Sequence, residues 1–466
     1  MIIRNRMKIL HLFDWNSQGK LIPVICCFLL FIGCNQSGID PEVRIGLIVV
    51  IALLSFVAIF IKPVVGVYVV AIIATIFSPK FNIGFANLYF HQWVILVAVL
   101  ASISSGFVRG DFHTVIKSNL NIPLMVFIAS LLLSLGHAPN MTEGIKSFLF
   151  IGVLFASFYL VILSITTVQQ IRKFTVLLII ATSLICLLSL ALLGSGRLGS
   201  LVLRNPNSFG NFLALVIPFS VSLFVFGRFE RGKKLLIACS VILMLISLVL
   251  TFSRSAWFGV IVSIFCLCVL KPRVPLFLLI FGIISGVFLF APVKKRVFKD
   301  ISDPGAQYRI IKAKIALDKF KENPLLGSGL GSFHYEAQFS ELWAYRAHST
   351  LENNYLVLLA EGGLIEFFAF LYLIIMLGKK VLFLLKRIQD PFLYAILFGC
   401  AASIISTMSA GLFEDTLFFP KNNWLIGMSM GIVIIVERIY EESLIAAKTA
   451  GVEAEGKEQP FQIKES

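Results

Sequence analysis

The chain has 466 residues, 58% of them hydrophobic and 14% charged, with a mean hydropathy of +0.93. No soluble core hides that much apolar surface, so the solvent is lipid, and the absence of a strict alternating pattern excludes a transmembrane barrel. The formal charge of +15 is dispersed through short loops rather than gathered on one basic face, which excludes nucleic acid as a partner and fits the positive-inside rule.

In chain order, residues 1–20 read as a cytoplasmic N-terminus. Spans follow at Leu21–Gly33, Ile45–Ile61, Val64–Phe77, Trp93–Phe107, Ile122–Leu135, Ser147–Ile165, Phe174–Leu193, Ser208–Phe226, Leu235–Phe252, Ala256–Leu270 and Val274–Phe290. A long loop covers 291–350. Three more spans, Tyr355–Leu377, Phe392–Leu412 and Trp424–Val436, fill 351–436, and 437–466 is a polar cytoplasmic tail. The predicted fold is thus an all-α polytopic integral membrane protein of 12–14 transmembrane helices. Neither internal repeats nor paired Gly/Pro-broken spans of the transporter kind are visible.

Cations set the phase of these spans. Lys62, Arg109, Lys117, Arg172, Lys173, Arg228, Arg231, Lys271, Arg273, Lys379 and Arg387 fall in alternate loops, which places both termini in the cytoplasm. Arg197, Arg204 and Arg254 break the pattern, as does the long outer loop with its ten Lys and Arg. Loops of that length escape the rule, so cations gather on the outer face for another reason. The eight cysteines all lie in apolar stretches and read as small packing residues, not as a metal cluster or disulfides. The basic N-terminus and the run FIGC ending at Cys34 resemble a lipoprotein signal, although Phe31 stands where Leu is usual; a plain first span is the simpler reading.

Within the long loop, AQYRIIKAKIALDKFKENP predicts an amphipathic helix. Ile310, Ala313, Leu317 and Phe320 share one face, Lys312, Lys314, Lys319 and Lys321 lie elsewhere, and the helix stops at Asn323-Pro324. Such a helix rests on the membrane surface. The following LLGSGLGSF alternates Gly327, Gly329 and Gly331, which reads as a turn; a phosphate cradle needs more than that spacing.

Next comes AHSTLENNYL. Its plainest reading is a capping box, with Ser349 at the N-cap and Glu352 at N3 of the next span. On a functional reading, His348 beside that helix N-terminus is kept neutral by the dipole and serves as a general base. Glu361, roughly 18 Å along the same helix, reads as a buried structural partner rather than a catalytic group. Arginine bordering apolar segments is costly and marks an anionic ligand or a paired acid, with headgroup snorkelling as the ordinary alternative. Arg254 in TFSRSAW, Arg204 in RNPNSFG and Arg309 at the start of the surface helix fit diphosphate recognition, because their planar forks suit phosphate oxygens. Glu352, Asn354, Glu414 and Asp415 are candidates for binding the acceptor or supporting the site. There is no DxD and no metal-ligand spacing, so neither a metal nor another cofactor is expected. A neutral base with arginines on one face fits an acceptor hydroxyl attacking a carbon whose leaving group is a diphosphate.

PNSFGN before a span, SR in TFSRSAWFG, NPLLGSGLGSF and HSTLENNYLVLLAEGGL also carry a resemblance, in order along residues 204–363, to the O-antigen ligase and Wzy-type polysaccharide polymerase superfamily. The resemblance implies a glycosyltransferase of the bacterial cytoplasmic (inner) membrane with its site on the outer side. It implies transfer of a glycan from an undecaprenyl-diphosphate-linked donor to an acceptor sugar or lipid anchor, inverting and without metal. His348 corresponds to the family's essential histidine and Arg254 to a diphosphate arginine, with Arg204 and Arg309 matching less closely. The family often has Asn directly after that histidine, whereas Ser349 stands here. Two other readings remain at this point: a flippase or transporter for the same lipid-linked sugars, and a non-enzymatic component of envelope polysaccharide assembly.

Overall fold

A segment crossing lipid must pair every backbone N–H and C=O internally, so apolar stretches of this length become helices. The computed structural model describes residues 53, 56–76, 80–82, 87–110, 118–193, 197–200, 205–270, 304–337, 351–417 and 420–449. Its helices are α1 (Val64–Ile76), α2 (Phe90–Arg109), α3 (Asn121–Gly136), α4 (Met141–Ser164), α5 (Val168–Ala191), α6 (Pro206–Phe226), α7 (Arg231–Leu250), α8 (Arg254–Leu270), α9 (Pro304–Glu322), α10 (Ser332–Ala337), α11 (Asn354–Leu385), α12 (Pro391–Ala410) and α13 (Pro420–Thr449). Eight are long and apolar enough to span a membrane, and α1, α3 and α8 are shorter apolar helices. The protein is an all-α multi-pass membrane protein. Expected spans at Leu21–Gly33 and Val274–Phe290 lie outside the described residues, as does most of Ile45–Ile61. One feature was not anticipated, a small antiparallel hairpin of β1 (Lys80–Asn82) and β2 (Asn87–Tyr89), with Phe81 opposite Leu88.

Lipid tails give helices no hydrophobic reason to associate, so close backbone approach and polar contacts join them. Helix α13 meets α4 through the GxxxG pair Gly427 and Gly431. A Cβ on Gly427 would stand 2.1 Å from the Leu154 carbonyl oxygen, and one on Gly431 would stand 2.8 Å from Val161 Cβ. Helix α12 meets α6 in the same manner, and Ser403 Oγ donates to the Leu215 carbonyl while Ser222 Oγ donates to that of Ala395. The two ends of the bundle gather different loops. Residues from the loops before α4, α6, α8, α11 and α13 meet at one end. At the other, Lys380 pairs with Glu437 at 2.5 Å and Arg438 donates to the Ile162 carbonyl.

The expected surface helix is α9, and its orientation is more specific than amphipathicity suggests. Ile310 and Leu317 point away from the protein, whereas Lys312 and Lys319 turn inward and are buried. Helix α9 docks on α10 and α11 through Ala316 and Ile315, which join Phe333, Ala337, Leu351, Val357 and Ala360 in one apolar cluster. Cations flank this seam, Lys319 pairing with Glu336 of α10 and Arg309 with Glu352 just before α11.

Helix α11 is two helices joined at a break. Gly363 has φ 64° and ψ −162°, a conformation only glycine adopts at ease. The glycine run after α9 fills this break. The amides of Leu364 and Ile365 donate to the carbonyls of Pro324 and Leu325, and those of Ser328 and Gly329 donate to Ala360 and Glu361. Ser134 Oγ adds a bond to the Glu361 carbonyl. The Glu361 carboxylate accepts from the amides of Gly331 (2.8 Å) and Phe333 (3.1 Å). The Gly327–Gly331 turn therefore cradles an internal carboxylate, not a phosphate. Glu361 is the structural partner expected of it. Replacing Glu361 with Ala would leave two buried N–H groups unpaired, each costing about 1–3 kcal/mol. We expect a clear drop in thermal unfolding temperature of the detergent-solubilised protein, with Glu361→Gln less damaging because its amide oxygen still accepts one of the two bonds.

Candidate active site

Four separated pieces of chain meet at one end of the bundle. The first is the turn between α7 and α8. Phe252 there has φ +51°, the one positive φ outside glycine among the described residues. A bulky residue in that region is strained and needs its surroundings to hold it. Arg197 does so, with Nε donating to the Thr251 carbonyl at 2.8 Å and Nη2 reaching Phe252 O at 3.4 Å and Asn207 Oδ1. The turn then starts α8 directly at Arg254, whose side chain is exposed at the cavity.

The second piece is the start of α6. Asn205 caps the helix by accepting the Asn207 amide, and Pro206 supplies the fixed φ suited to a first turn. This aims Asn207 at the third piece, the loop 411–417, where its Nδ2 donates to both carboxylate oxygens of Glu414 at 3.3 and 3.4 Å. The fourth is the N-terminal half of α9, which brings in Arg309. Together Asn207, Phe252, Ser253, Arg254, Ser255, Phe258, Arg309, Phe413 and Glu414 enclose a cavity of about 360 Å³. Phe258 and Phe413, packed edge to face at 5.3 Å, give it an apolar side.

The polar run ENNY fixes how these pieces meet. Helix α11 starts at Asn354 with Asn353 as its N-cap, and Leu351–Asn353 are not helical. This corrects the capping-box reading: Ser349 does not cap this helix and Glu352 is not at N3. A helix-dipole effect on His348 no longer follows, since the helix begins six residues later. Each residue of the run instead has its own partner. Glu352 takes Arg309 and, at 3.7 Å, Lys312. Asn353 Oδ1 accepts the amides of Tyr355 and Leu356. The buried Asn354 side chain holds the loop beside the cavity, accepting from the Thr416 and Leu417 amides and donating to Thr416 Oγ1 at 2.7 Å. Tyr355 donates to the Met408 carbonyl. Asn354 thus supports the site from beneath.

Of the expected site residues, Arg254, Arg309 and Glu414 share the cavity, and Glu352 joins them through Arg309. Asp415 is half-buried beside Glu414 and does not line the cavity. His348 and Arg204 lie outside the described residues. Sequence reasoning missed Arg197, Asn207 and Lys312. Asn207 stood in the quoted RNPNSFG, and Arg197 was already an out-of-phase cation. Lys312 follows Arg309 by one helical turn, a spacing that places both on one face.

Burial pushes the Glu414 carboxyl up to about 7, and the Glu352 carboxylate adds to the rise, while Arg309, Asn207 and Arg197 pull it back. A carboxyl raised in the fold destabilises at high pH: its penalty is absent below the ordinary value of 4.5 and complete above about 7. Neutral Glu414 also repels an anionic ligand less. Binding of inorganic pyrophosphate is therefore expected to weaken as pH rises through about 7, with that step flattened in Glu414→Gln. A titration by calorimetry from pH 5 to 9 checks it. Burial lowers the pKa of Lys312, and Glu352 raises it again while Arg309 opposes.

Compared with known families, residues 239–371 match the family model described as O-antigen ligase. The match runs from within α7 to within α11, so it covers Arg254, Arg309, His348, Glu352 and Asn354. No curated protein matches the chain.

Proposed function

We propose that this chain, whose residues 239–371 match the O-antigen ligase family model, moves a glycan from an undecaprenyl-diphosphate-linked donor to the hydroxyl of an acceptor sugar or lipid anchor. The family match supports glycan transfer of the ligase or polymerase type in general. The donor, the stereochemistry and the roles of single residues are our reading. Its main support is the convergence of Arg254 and Arg309, from segments more than fifty residues apart, on one cavity that also holds a carboxyl and an amide.

In this scheme the donor diphosphate lies against Arg254 and Arg309, with Arg204 as a further contact. His348 accepts the proton of the acceptor hydroxyl, whose oxygen forms a bond to the anomeric carbon as the bond to the phosphate oxygen breaks. The electron pair leaves with the diphosphate, where the guanidinium charges stabilise it, a task a metal ion performs in other transferases. Attack opposite the leaving group inverts the anomeric centre. Glu414 and Asp415 orient the acceptor. The site faces the outer side of the bacterial cytoplasmic membrane, with both termini inside, consistent with the loop cations. A transporter would carry its charged groups near mid-membrane; here they gather at the end of the bundle.

Polymerase and ligase share all of these features, and a deletion strain separates them. Loss of long glycan ladders on a gel identifies a polymerase. Glycan that accumulates on its carrier lipid identifies a ligase. Unchanged surface glycan refutes both.

A further inference from the structure

The cation pair on α9 already carries an anion. Glu352 stands in the non-helical approach to α11, four residues after His348, with one carboxylate oxygen on Arg309 Nε and the other 3.7 Å from Lys312 Nζ. Three observations set this apart from an ordinary surface ion pair. The Lys312 side chain is 2% exposed, so its ammonium cannot be left without a counter-charge at acceptable cost. The Glu352 and Arg309 side chains are 29% and 40% exposed, so solvent and solutes reach them. Arg309 also lines the cavity with Arg254, so the anion Glu352 supplies sits at the border of the space a diphosphate would enter.

We propose that Glu352 is an exchangeable stand-in for the donor diphosphate, and that Lys312 is a further diphosphate-binding residue uncovered when Glu352 is displaced. The proposal rests on the diphosphate reading of the cavity and deepens it. A buried ammonium tolerates exchange of one anion for another but not departure into an empty site. Glu352 therefore stays in place until a ligand with comparable charge density arrives, which makes neutral sugars or lipids poor occupants. A diphosphate offers more negative charge than one carboxylate and can satisfy Arg254, Arg309 and Lys312 together. Displaced, the Glu352 side chain swings toward solvent, while Asn353 and Asn354 remain pinned to the 411–417 loop. No covalent step is involved; one ion pair is traded for another.

The test measures binding of inorganic pyrophosphate to the full chain in lipid nanodiscs by calorimetry at constant ionic strength. If Glu352 occupies the cations about nine-tenths of the time, its removal raises apparent affinity about tenfold. Glu352→Gln is expected to bind pyrophosphate about tenfold more tightly than the parent protein. Lys312→Met, which needs no counter-ion and replaces the buried stem with one of similar size, is expected to bind it several-fold more weakly. A folded Glu352→Gln protein with equal or weaker binding overturns the proposal, because Glu352 would then be a brace and not a competitor. Unchanged binding in Lys312→Met overturns it as well, and that variant decides alone should Glu352→Gln not fold. Arg254→Gln separates the two levels. If it leaves pyrophosphate binding intact, the diphosphate reading fails. If it weakens binding while Glu352→Gln does not strengthen it, only the exchange fails.

Discussion

Arg254→Gln is expected to lower glycan output about 10²–10³-fold at unchanged protein level, and Arg254→Lys to lower it clearly, though less. The expectation follows from how the residue is held. Arg254 is the first residue of α8, set there by a strained Phe252 whose carbonyl and that of Thr251 are gripped by Arg197. Strain of this kind costs on the order of 1–3 kcal/mol and persists only where the surroundings enforce it. Here it fixes a guanidinium at the mouth of a cavity shared with Arg309. Charge developing on a leaving diphosphate is best met by donors already in position. Lysine keeps the charge but offers no planar fork to two phosphate oxygens. If Arg254→Lys retains near-parental output in a complemented deletion strain, Arg254 only snorkels to headgroups and the diphosphate assignment is wrong.

His348→Ala should lose about 10²–10⁴-fold, the usual contribution of a positioned general base. His348→Gln, which keeps volume and a hydrogen-bonding group but cannot take the proton, should be equally impaired. The helix dipole supplies no reason for a neutral imidazole, because α11 begins at Asn354. Output is measured against protein abundance in membranes, since lost output through lost protein would say nothing of the base. Parental output from His348→Ala at normal abundance removes His348 from the mechanism and leaves Glu414, the raised carboxyl of the cavity, as the next group to examine.

Most of the fold was legible because lipid makes hydropathy nearly sufficient. All eleven predicted spans that fall within the described residues are apolar helices, most with ends shifted by a few residues, although α11 and α13 run on to Leu385 and Thr449 rather than stopping at Leu377 and Val436. Three features were not legible. The break in α11 lies inside AEGGLIEF, which reads as one continuous span; the paired Gly362 and Gly363 were its only local signal. The glycine run suggested a turn or a phosphate cradle, and its actual partner, Glu361, is thirty residues away from Gly331. The run STLE looked like a cap because its spacing fits a capping box, yet Asn353 is the N-cap and Glu352 pairs with α9.

The candidate site divides the same way. Arg254, Arg309 and Glu414 could be nominated one at a time, because a charge beside an oily segment is expensive and so calls for an explanation. Lys312 could not, because on a helix read as amphipathic a lysine is presumed to face water. Only docking of α9 on α11 turned it inward, where Glu352 became its counter-ion.

Sequence alone determined what the chain is made for: a helical body in lipid, cations out of phase on one face, and a polar run before a late span. These depend on transfer free energies of single residues, which need no partner. The tertiary structure decided which of those polar groups share a cavity, which carboxylate neutralises which cation, and where a spanning helix breaks. Those outcomes depend on distances between residues far apart in the chain, and burial changes the worth of a charge only after the fold has chosen its neighbours.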